Sequence, residues 1–189
     1  MKLIIALTGA SGVIYGKRLL EELHNKKVET HLVISQAAKK IIKLELETSE
    51  KTLEKLATHV HEIDDWSSSI VSGSYKTDGM VIVPCSMKTL SGIASGFAEN
   101  VILRAADVAL KEKRKLILVP RETPLNTIHI RNMLDLAQQG AIIVPAMPAF
   151  YHKPKNINDL VDFMVGRVLD VLGIEHNLYK RWQDIQKTS

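Results

Sequence analysis

The sequence has one cysteine, few aromatic residues and no long apolar run, and each shortage excludes a class of protein. A single thiol, Cys85, cannot form an internal disulfide, and the chain opens on a strand-like run instead of a basic, cleavable leader, so a cytoplasmic location is expected. Aromatic residues make up 5% of the chain and are not interleaved with a basic face, which argues against a nucleic-acid partner. The apolar runs fall short of the roughly 20 residues that a membrane helix needs, so no membrane partner is expected.

The remaining composition is that of a globular protein. The chain has 189 residues, of which 46% are hydrophobic and 24% charged, enough to bury roughly 70% of the surface of the unfolded chain. We expect one domain over residues 1–175 and a polar C-terminal tail over 176–189. The formal net charge is only +4. A charge this small indicates an anionic partner only if the excess of basic residues is concentrated in one part of the chain.

Apolar runs of strand length alternate with segments of helical period. This alternation predicts an α/β fold with a mostly parallel sheet, and because the runs are apolar throughout, helices should cover both faces of the sheet. The predicted strands are Leu3–Leu7, Val28–Val33, Met80–Val83, Leu116–Val119 and Ala141–Val144, and the predicted helices span about 11–25, 35–44, 86–95, 101–113, 126–138 and 157–172.

Ligands of such sheets bind beyond the carboxyl ends of the strands, so the loops that follow the strands carry the functional candidates. The first loop, Thr8-Gly9-Ala10-Ser11-Gly12, is neither a Walker A loop nor a dinucleotide-binding fingerprint. Its small residues and hydroxyls favour an anion such as phosphate, or an ordinary tight turn with a serine cap. Ser35, Ser86 and Thr89 also follow strands, and each is open to the same two interpretations.

Charged residues raise a similar choice. Arg104 and Lys111 share a helix face with Asp107, which is typical of a solvated ion-pair stripe. Arg121 and Glu122 directly follow an apolar strand and lie between two prolines, a position that favours the ligand side of the sheet.

Three further residues are weaker candidates. Glu45 fits an exposed helix end, Tyr151 follows a proline-rich loop and either covers a pocket or packs on one, and Arg167 either reaches an anion or lies along the surface.

Metal and thiol chemistry receive little support. Of the seven histidines only His59 and His61 are close in sequence, and they lack an obvious third ligand, so no metal is predicted. Cys85 precedes a helix and fits either an activated nucleophile or, more commonly, a small buried apolar residue.

Taken together, these loops resemble the flavin prenyltransferase family of the UbiX type, which is homologous to proteins once called phenylacrylic or phenolic acid decarboxylase subunits. The resemblance covers nearly the whole chain. It rests on Thr8-Gly9-Ala10-Ser11-Gly12, Ser35 with Ala37-Ala38, Ser72-Gly73-Ser74, Pro84-Cys85-Ser86-Met87-Lys88-Thr89-Leu90, Arg104-Ala105-Ala106-Asp107-Val108, Leu110-Lys111-Glu112, Pro120-Arg121-Glu122-Thr123-Pro124-Leu125 and Pro148-Ala149-Phe150-Tyr151-His152.

The resemblance implies a single-domain, three-layer Rossmann-like or flavodoxin-like subunit that binds FMN and forms a large homo-oligomer, typically a dodecamer, with sites at subunit boundaries. Such enzymes join the dimethylallyl group of dimethylallyl phosphate to N5 and C6 of reduced FMN without a metal. The prenylated FMN is then the cofactor of a UbiD-type decarboxylase, in ubiquinone synthesis or in aromatic-acid decarboxylation.

The resemblance also implies roles for individual residues. Fixed cationic and hydroxyl donors fit a reaction that releases phosphate, because negative charge grows on the leaving group. The residues implied to hold FMN are Gly9, Ala10, Ser11, Ser35, Ser86, Met87, Lys88, Thr89 and Arg121; those around the donor phosphate are Arg104, Lys111, Tyr151 and Arg167; and the catalytic residues are Ser11, Glu45, Lys111 and Glu122.

Three alternatives remain at this stage. One is an FMN-dependent decarboxylase of the cysteine-decarboxylase type, which predicts a histidine base near the flavin. Another is a flavin carrier without turnover, which needs no second phosphate site. The third is a decarboxylase in its own right that acts on phenolic or polyprenyl-benzoate acids.

The net charge turns out to be local. Residues 101–121 hold six basic side chains and two acidic ones, so this segment carries the whole excess of +4. Because the segment includes Arg104, Lys111 and Arg121, its charge is consistent with a phosphate site, although Lys113, Arg114 and Lys115 also fit a plain solvated surface.

Overall fold

A computed structural model of the chain describes residues 1–183. Within these residues six parallel strands form one sheet in the order β3-β2-β1-β4-β5-β6. The strands are β1 (Lys2–Leu7), β2 (Glu29–Ile34), β3 (His59–His61), β4 (Gly79–Cys85), β5 (Lys115–Pro120) and β6 (Ile142–Ile143). This is the doubly wound order, in which the direction of winding reverses between β1 and β4. The predicted α/β fold with a parallel sheet is confirmed.

Helices connect the strands and, within the described residues, number seven. Most of their bounds agree with the sequence-based predictions to within one or two residues. They are α1 (Val13–Asn25), α2 (Gln36–Glu45), α3 (Glu50–Glu54), α4 (Met87–Ala94), α5 (Val101–Lys111), α6 (Thr127–Gln138) and α7 (Ile157–Leu172).

The sheet is buried on both faces, as its apolar strands predict. Successive residues of a strand point to opposite faces, and every residue of β1 from Leu3 to Leu7 is buried. On one face Ile4 and Ile82 belong to a core cluster with residues of α4 and α5. On the other face α1 approaches Leu7 closely at Gly16.

Two elements were missed by the sequence analysis, α3 and β3. Both lie in the polar stretch between the second and third predicted strands. β3 is a three-residue strand at the edge of the sheet, and its middle residue, Val60, is exposed. An edge strand that buries little has no apolar run, so hydrophobic patterning does not reveal it.

The chain divides into two compact units, Met1–Pro145 and a second that begins at Ala146. The first contains the sheet. In the second, α7 buries an apolar face that includes Phe163, Met164 and Leu169. The predicted division into 1–175 and a tail at 176–189 stays a prediction, and residues 184–189 of that tail lie outside the described residues.

Among the residues that the structure describes, no helix has the length and apolar character needed to cross a membrane.

The contact between α1 and the sheet requires a glycine at position 16. A Cβ there would lie 2.6 Å from the Val83 carbonyl oxygen and 2.8 Å from a Leu7 methyl group. We therefore expect Gly16→Ala to lower the free energy of unfolding by about 2–3 kcal/mol, despite the higher helix propensity of alanine. Urea denaturation followed by circular dichroism measures this change.

Gly92→Ala is the matched control for that prediction. Its added Cβ would meet the two Leu103 methyl groups at 3.0 Å and 3.2 Å and the Phe97 carbonyl oxygen at 3.7 Å. These contacts are longer than those at Gly16, so the loss should be smaller. Equal stabilities for Gly16→Ala and the wild type would contradict the packing argument.

Candidate active site

Two adjoining cavities open at the carboxyl edge of the sheet and form one cleft. Their volumes are about 310 Å³ and about 550 Å³, each within the range of small-molecule sites. Gly9, Ser86, Met87 and Glu122 border both cavities. The lining residues come mainly from the loops and helix starts that follow β1, β2, β4 and β5, so the cleft spans the point where the winding of the sheet reverses.

Thr8 joins the two strands at that point. Its side chain is buried; Oγ1 donates to the carbonyl of Pro84 at 2.8 Å and accepts from the amide of Ser86 at 2.8 Å. The Thr8 amide also donates to the Pro84 carbonyl, at 3.2 Å. These bonds fix the end of β1 relative to the end of β4, and thereby the two loops that form the floor of the cleft.

Helices α2 and α4 begin at the larger cavity. The hydroxyl of Ser35 accepts from the amide of Ala38 at 3.2 Å, and that of Ser86 accepts from the amide of Thr89 at 3.4 Å. Both serines therefore act as N-caps, as one interpretation of the sequence held. The first amides of each helix have no acceptor within the helix and carry the positive end of its dipole. The larger cavity is thus suited to an anion such as a phosphate.

The N-terminus of α1 is arranged differently. A carboxylate oxygen of Glu45 accepts from the amides of Gly12 at 2.9 Å and Val13 at 3.2 Å. Gly12 has a φ of 101°, a conformation that suits glycine. The α1 amides are therefore bound by the chain's own Glu45, which lies at the end of α2. The N-termini of α2, α4 and α5 border the larger cavity and remain for a ligand.

Arg121 and Glu122 lie at the rim of the cleft, directly after β5. Nε of Arg121 donates to the carbonyl of Ser11 at 3.3 Å, and among residues 1–183 the guanidinium forms no ion pair with a carboxylate. Glu122 accepts from the amide of Thr123 at 3.0 Å and borders both cavities. A cationic and an acidic group therefore face the same space from adjacent positions.

Cys85 is fully buried at the end of β4. Burial raises the pKa of its thiol to about 12, so the group is protonated at neutral pH and is a poor nucleophile. The nucleophile interpretation is wrong, and the interpretation as a small buried apolar residue holds.

All nine residues expected to hold FMN line the cleft, together with Glu45 and Glu122. Six of the nine border the smaller cavity, and the others border the larger one. They are Gly9, Ala10, Ser11, Ser86, Met87 and Arg121 in the first set and Ser35, Lys88 and Thr89 in the second.

The structure does not bring Arg104 or Lys111 to this cleft. Arg104 forms an ion pair with Asp107 at 2.5 Å, and its Nε donates to the Val71 carbonyl at 3.2 Å. Lys111 forms an ion pair with Glu112 beside Gly73. It ends α5 shortly before β5 begins, so it lies at the amino edge of the sheet, opposite the cleft.

Tyr151 and Arg167 belong to the second unit, where both have contacts of their own. The Tyr151 ring packs edge-on against Phe163 and Trp182, with ring centroids 5.8 Å and 5.2 Å away. Arg167 donates to a carboxylate oxygen of Asp170 at 3.0 Å.

The carboxylate of Asp170 accepts hydrogen bonds from several side chains. Burial raises its pKa, but hydrogen bonds from Arg181, Tyr179 and His176 outweigh that effect and lower the pKa to about 2. The carboxylate is therefore ionised at neutral pH and fixes the donor groups around it, Arg167 included.

Several residues of the cleft were missed by the sequence analysis. Ile41 and Leu44 supply apolar lining from α2, and Asn100, Ile102 and Leu103 line the larger cavity from the start of α5. Asn100 caps α5 through Leu103, and an asparagine before a helical run is a signal that sequence reasoning can use. The apolar lining carries no such signal.

Comparison with known proteins identifies the class. A family model described as Flavoprotein matches residues 1–169. The chain is 59% identical to the flavin prenyltransferase UbiX of Methanocaldococcus jannaschii over 96% of this chain and 98% of the relative. It is 54% identical to the flavin prenyltransferase UbiX of Methanothermobacter thermautotrophicus over 95% of this chain and 94% of the relative.

Solved structures agree with the sequence relatives. A dodecameric FMN-dependent UbiX-like decarboxylase from Escherichia coli O157:H7 is 52% identical, with a TM-score of 0.95, and the match covers 97% of this chain and 100% of that one. AnUbiX, solved with FMN and dimethylallyl pyrophosphate, is 48% identical, with a TM-score of 0.94 and 96% coverage of both chains. The peptidyl-cysteine decarboxylase EpiD, at 18% identity and a TM-score of 0.65, shares the fold alone.

The fold and cleft define a flavoprotein of the doubly wound class. Within that class the chain belongs to the UbiX flavin prenyltransferase family, and the resemblance seen in the sequence is confirmed.

The bridge made by Thr8 gives a direct test of how the cleft is built. Thr8→Val removes the hydroxyl and leaves the partly buried Ser86 amide without its acceptor, so we expect a loss of about 1–2 kcal/mol in the free energy of unfolding. Thr8→Ser keeps the hydroxyl and should recover most of the loss. Urea denaturation of the three proteins measures this, and equal stability of the valine variant and the wild type would contradict the bridge.

Proposed function

We propose that the protein is a flavin prenyltransferase that joins the dimethylallyl group of dimethylallyl phosphate to N5 and C6 of reduced FMN and releases phosphate. The observation that carries this proposal is the cleft, whose lining includes every residue that the family resemblance implies for FMN. The high identity to flavin prenyltransferases over nearly the whole chain supports the same conclusion.

The lining of the cleft fits FMN. The N-terminal amides of α2 and α4 suit the flavin phosphate, and Met87 with the apolar lining from α2 suits the ring system. We place the phosphate in the larger cavity and the reacting edge of the ring near Ser11 and Glu122. When bound, reduced FMN supplies the electron-rich atoms N5 and C6 that form the new bonds.

Two carboxylates of the cleft are assigned to proton transfer. Glu122 borders both cavities and accepts from the Thr123 amide. We assign it to protonating the departing phosphate or to taking a proton from the flavin. Glu45 is oriented by the two amides of α1, and we assign it, with the Ser11 hydroxyl, to the proton at N5 or C6.

We expect the phosphate of the donor to require cationic groups in addition to Lys88 and Arg121, which line the cleft within one chain. Lys111 and Arg104 are implied to bind this phosphate, yet Lys111 lies at the opposite edge of the sheet. We propose that a neighbouring copy of the chain supplies these two residues in a homo-oligomer. A dodecameric assembly is known for the Escherichia coli relative. Tyr151 and Arg167 are assigned to the same phosphate.

The wider context is also part of the proposal. The product is a prenylated FMN that a UbiD-type decarboxylase receives, in ubiquinone synthesis or in aromatic-acid decarboxylation, and the cytoplasmic location expected from the sequence stays a prediction. The donor is the monophosphate, although AnUbiX was solved with dimethylallyl pyrophosphate, so both donors belong in the assay.

The proposed function predicts a change in the mass of the flavin. Anaerobic incubation of the purified protein with reduced FMN and dimethylallyl phosphate should yield a flavin heavier by one prenyl group and an equal amount of inorganic phosphate. Mass spectrometry and a phosphate assay measure the two products. Parallel reactions with the pyrophosphate, and with a phenolic acid followed for CO₂ release, separate the donor question from a decarboxylase activity. Unchanged flavin with both donors would contradict the proposal.

The shared-site proposal predicts complementation between two inactive variants. Lys111→Ala should impair use of the prenyl donor while FMN affinity stays nearly unchanged, and Glu122→Gln should impair turnover with FMN still bound. If each site takes Lys111 from one chain and Glu122 from another, co-assembled variants regain part of the activity, because some sites then hold both native residues.

The control mixes the two variants without allowing exchange of subunits, and such a mixture should stay inactive. If co-assembly of the two variants restores no activity, Lys111 and Glu122 belong to a site made by one chain, and the shared-site proposal is contradicted. Full turnover by Glu122→Gln alone would remove the proton-transfer role of that residue.

A further inference from the structure

A second cluster of chemically active side chains lies at the amino edge of the sheet, opposite the cleft. Glu29 and His31 lie on β2, and His59 pairs with His31 across the parallel strands. A carboxylate oxygen of Glu29 lies 3.4 Å from Nε2 of His31 and 3.5 Å from Nε2 of His59. One ligand atom from each residue lies within 4.8 Å of the other two. Three groups that bind cations through lone pairs therefore converge.

The distances suit a zinc ion. Bonds of about 2.0–2.2 Å from Zn²⁺ to imidazole nitrogen and carboxylate oxygen place neighbouring tetrahedral ligands about 3.4 Å apart. Two of the three ligand pairs have this spacing. The remaining pair closes by rotation of His59, whose side chain is 48% exposed and stacks on the His31 ring with centroids 4.5 Å apart.

Hydrogen bonds at the other ring nitrogen of His31 support its role as a zinc ligand. His31 is 2% exposed, its Nδ1 lies 2.8 Å from Nε2 of His61, and Nδ1 of His61 lies 2.7 Å from the Ser68 hydroxyl. When Nδ1–H of His31 donates to His61, the lone pair of His31 is on Nε2, the atom that lies beside Glu29 and the Tyr75 hydroxyl. Metal-bound histidines are commonly oriented in this way by an acceptor at the other ring nitrogen.

We propose that Glu29, His31 and His59 form a zinc site, with a water in the fourth position, that fastens the edge strand β3 to β2. Two imidazoles and one carboxylate suit Zn²⁺ better than Mg²⁺ or Ca²⁺, which prefer oxygen ligands alone. The site is independent of the flavin cleft.

Lys2 competes with the metal. Its Nζ lies 3.2 Å from the Glu29 oxygen and 2.8 Å from the Tyr75 hydroxyl, which in turn lies 3.0 Å from Nε2 of His31. Zinc must displace the ammonium group from Glu29 and the hydroxyl from His31. Removal of the Lys2 charge should therefore strengthen zinc binding. If zinc were held by a general attraction to the protein surface, loss of this lysine would have no larger effect than loss of another surface lysine.

The test is isothermal titration calorimetry of the full chain, freed of any tag and treated with EDTA, with ZnCl₂. We expect one zinc ion per chain. His59→Ala and Glu29→Gln should weaken binding by at least about tenfold, and Lys2→Met should strengthen it. The matched control is His24→Ala, because His24 is an exposed histidine that borders the same surface cavity as Glu29; its affinity should equal that of the wild type.

A thermal-stability measurement gives an independent readout. Zinc should raise the melting temperature of the wild type and of His24→Ala but not that of His59→Ala, because only a ligand of the folded state stabilises it. His59 is exposed, so its variant is expected to fold. No binding to the wild type, unchanged binding to His59→Ala, or loss of binding in His24→Ala would each overturn the proposal.

Discussion

The hydroxyl of Thr8 joins the ends of β1 and β4, and the geometry of the cleft depends on that junction. In a parallel sheet these two strands lie side by side where the winding reverses, so their following loops diverge and leave a space between them. The Thr8 hydroxyl donates to the Pro84 carbonyl and accepts from the Ser86 amide, so one side chain connects the two strand ends. The first turn of α4 is thereby set at a fixed distance from the loop that begins α1.

Electrostatics distinguishes the N-terminus of α1 from those of α2 and α4. Glu45 neutralises the N-terminus of α1, so a ligand anion is directed to α2 and α4. Arg121 adds a positive charge at the rim, and Glu122 beside it adds an acidic group. The cleft therefore offers a cationic side to a phosphate and an acid-base group toward the remaining space, an arrangement that suits a reaction in which phosphate departs and a proton moves.

Much of this was predictable from sequence because the determinants are local. The apolar runs predict the buried strands, and serines that follow strands, such as Ser35 and Ser86, predict both the helix caps and the lining of the cleft. Contacts between distant residues were not predictable. Glu45 reaches the α1 amides from the far end of α2. The strand β3 pairs through backbone atoms with little burial. Helical spacing puts Lys111 on a face with Arg104 but does not show at which edge of the sheet Lys111 lies.

The central claim is that the cleft at the carboxyl edge of β1, β4 and β5 is the flavin site, with the phosphate at the N-termini of α2 and α4. A crystal structure of the protein with FMN tests it most directly. The account predicts flavin density across both cavities and phosphate oxygens within hydrogen-bond distance of the first amides of α2 or α4. Flavin bound elsewhere on the chain, or with its phosphate at the α1 amides in place of Glu45, would contradict it.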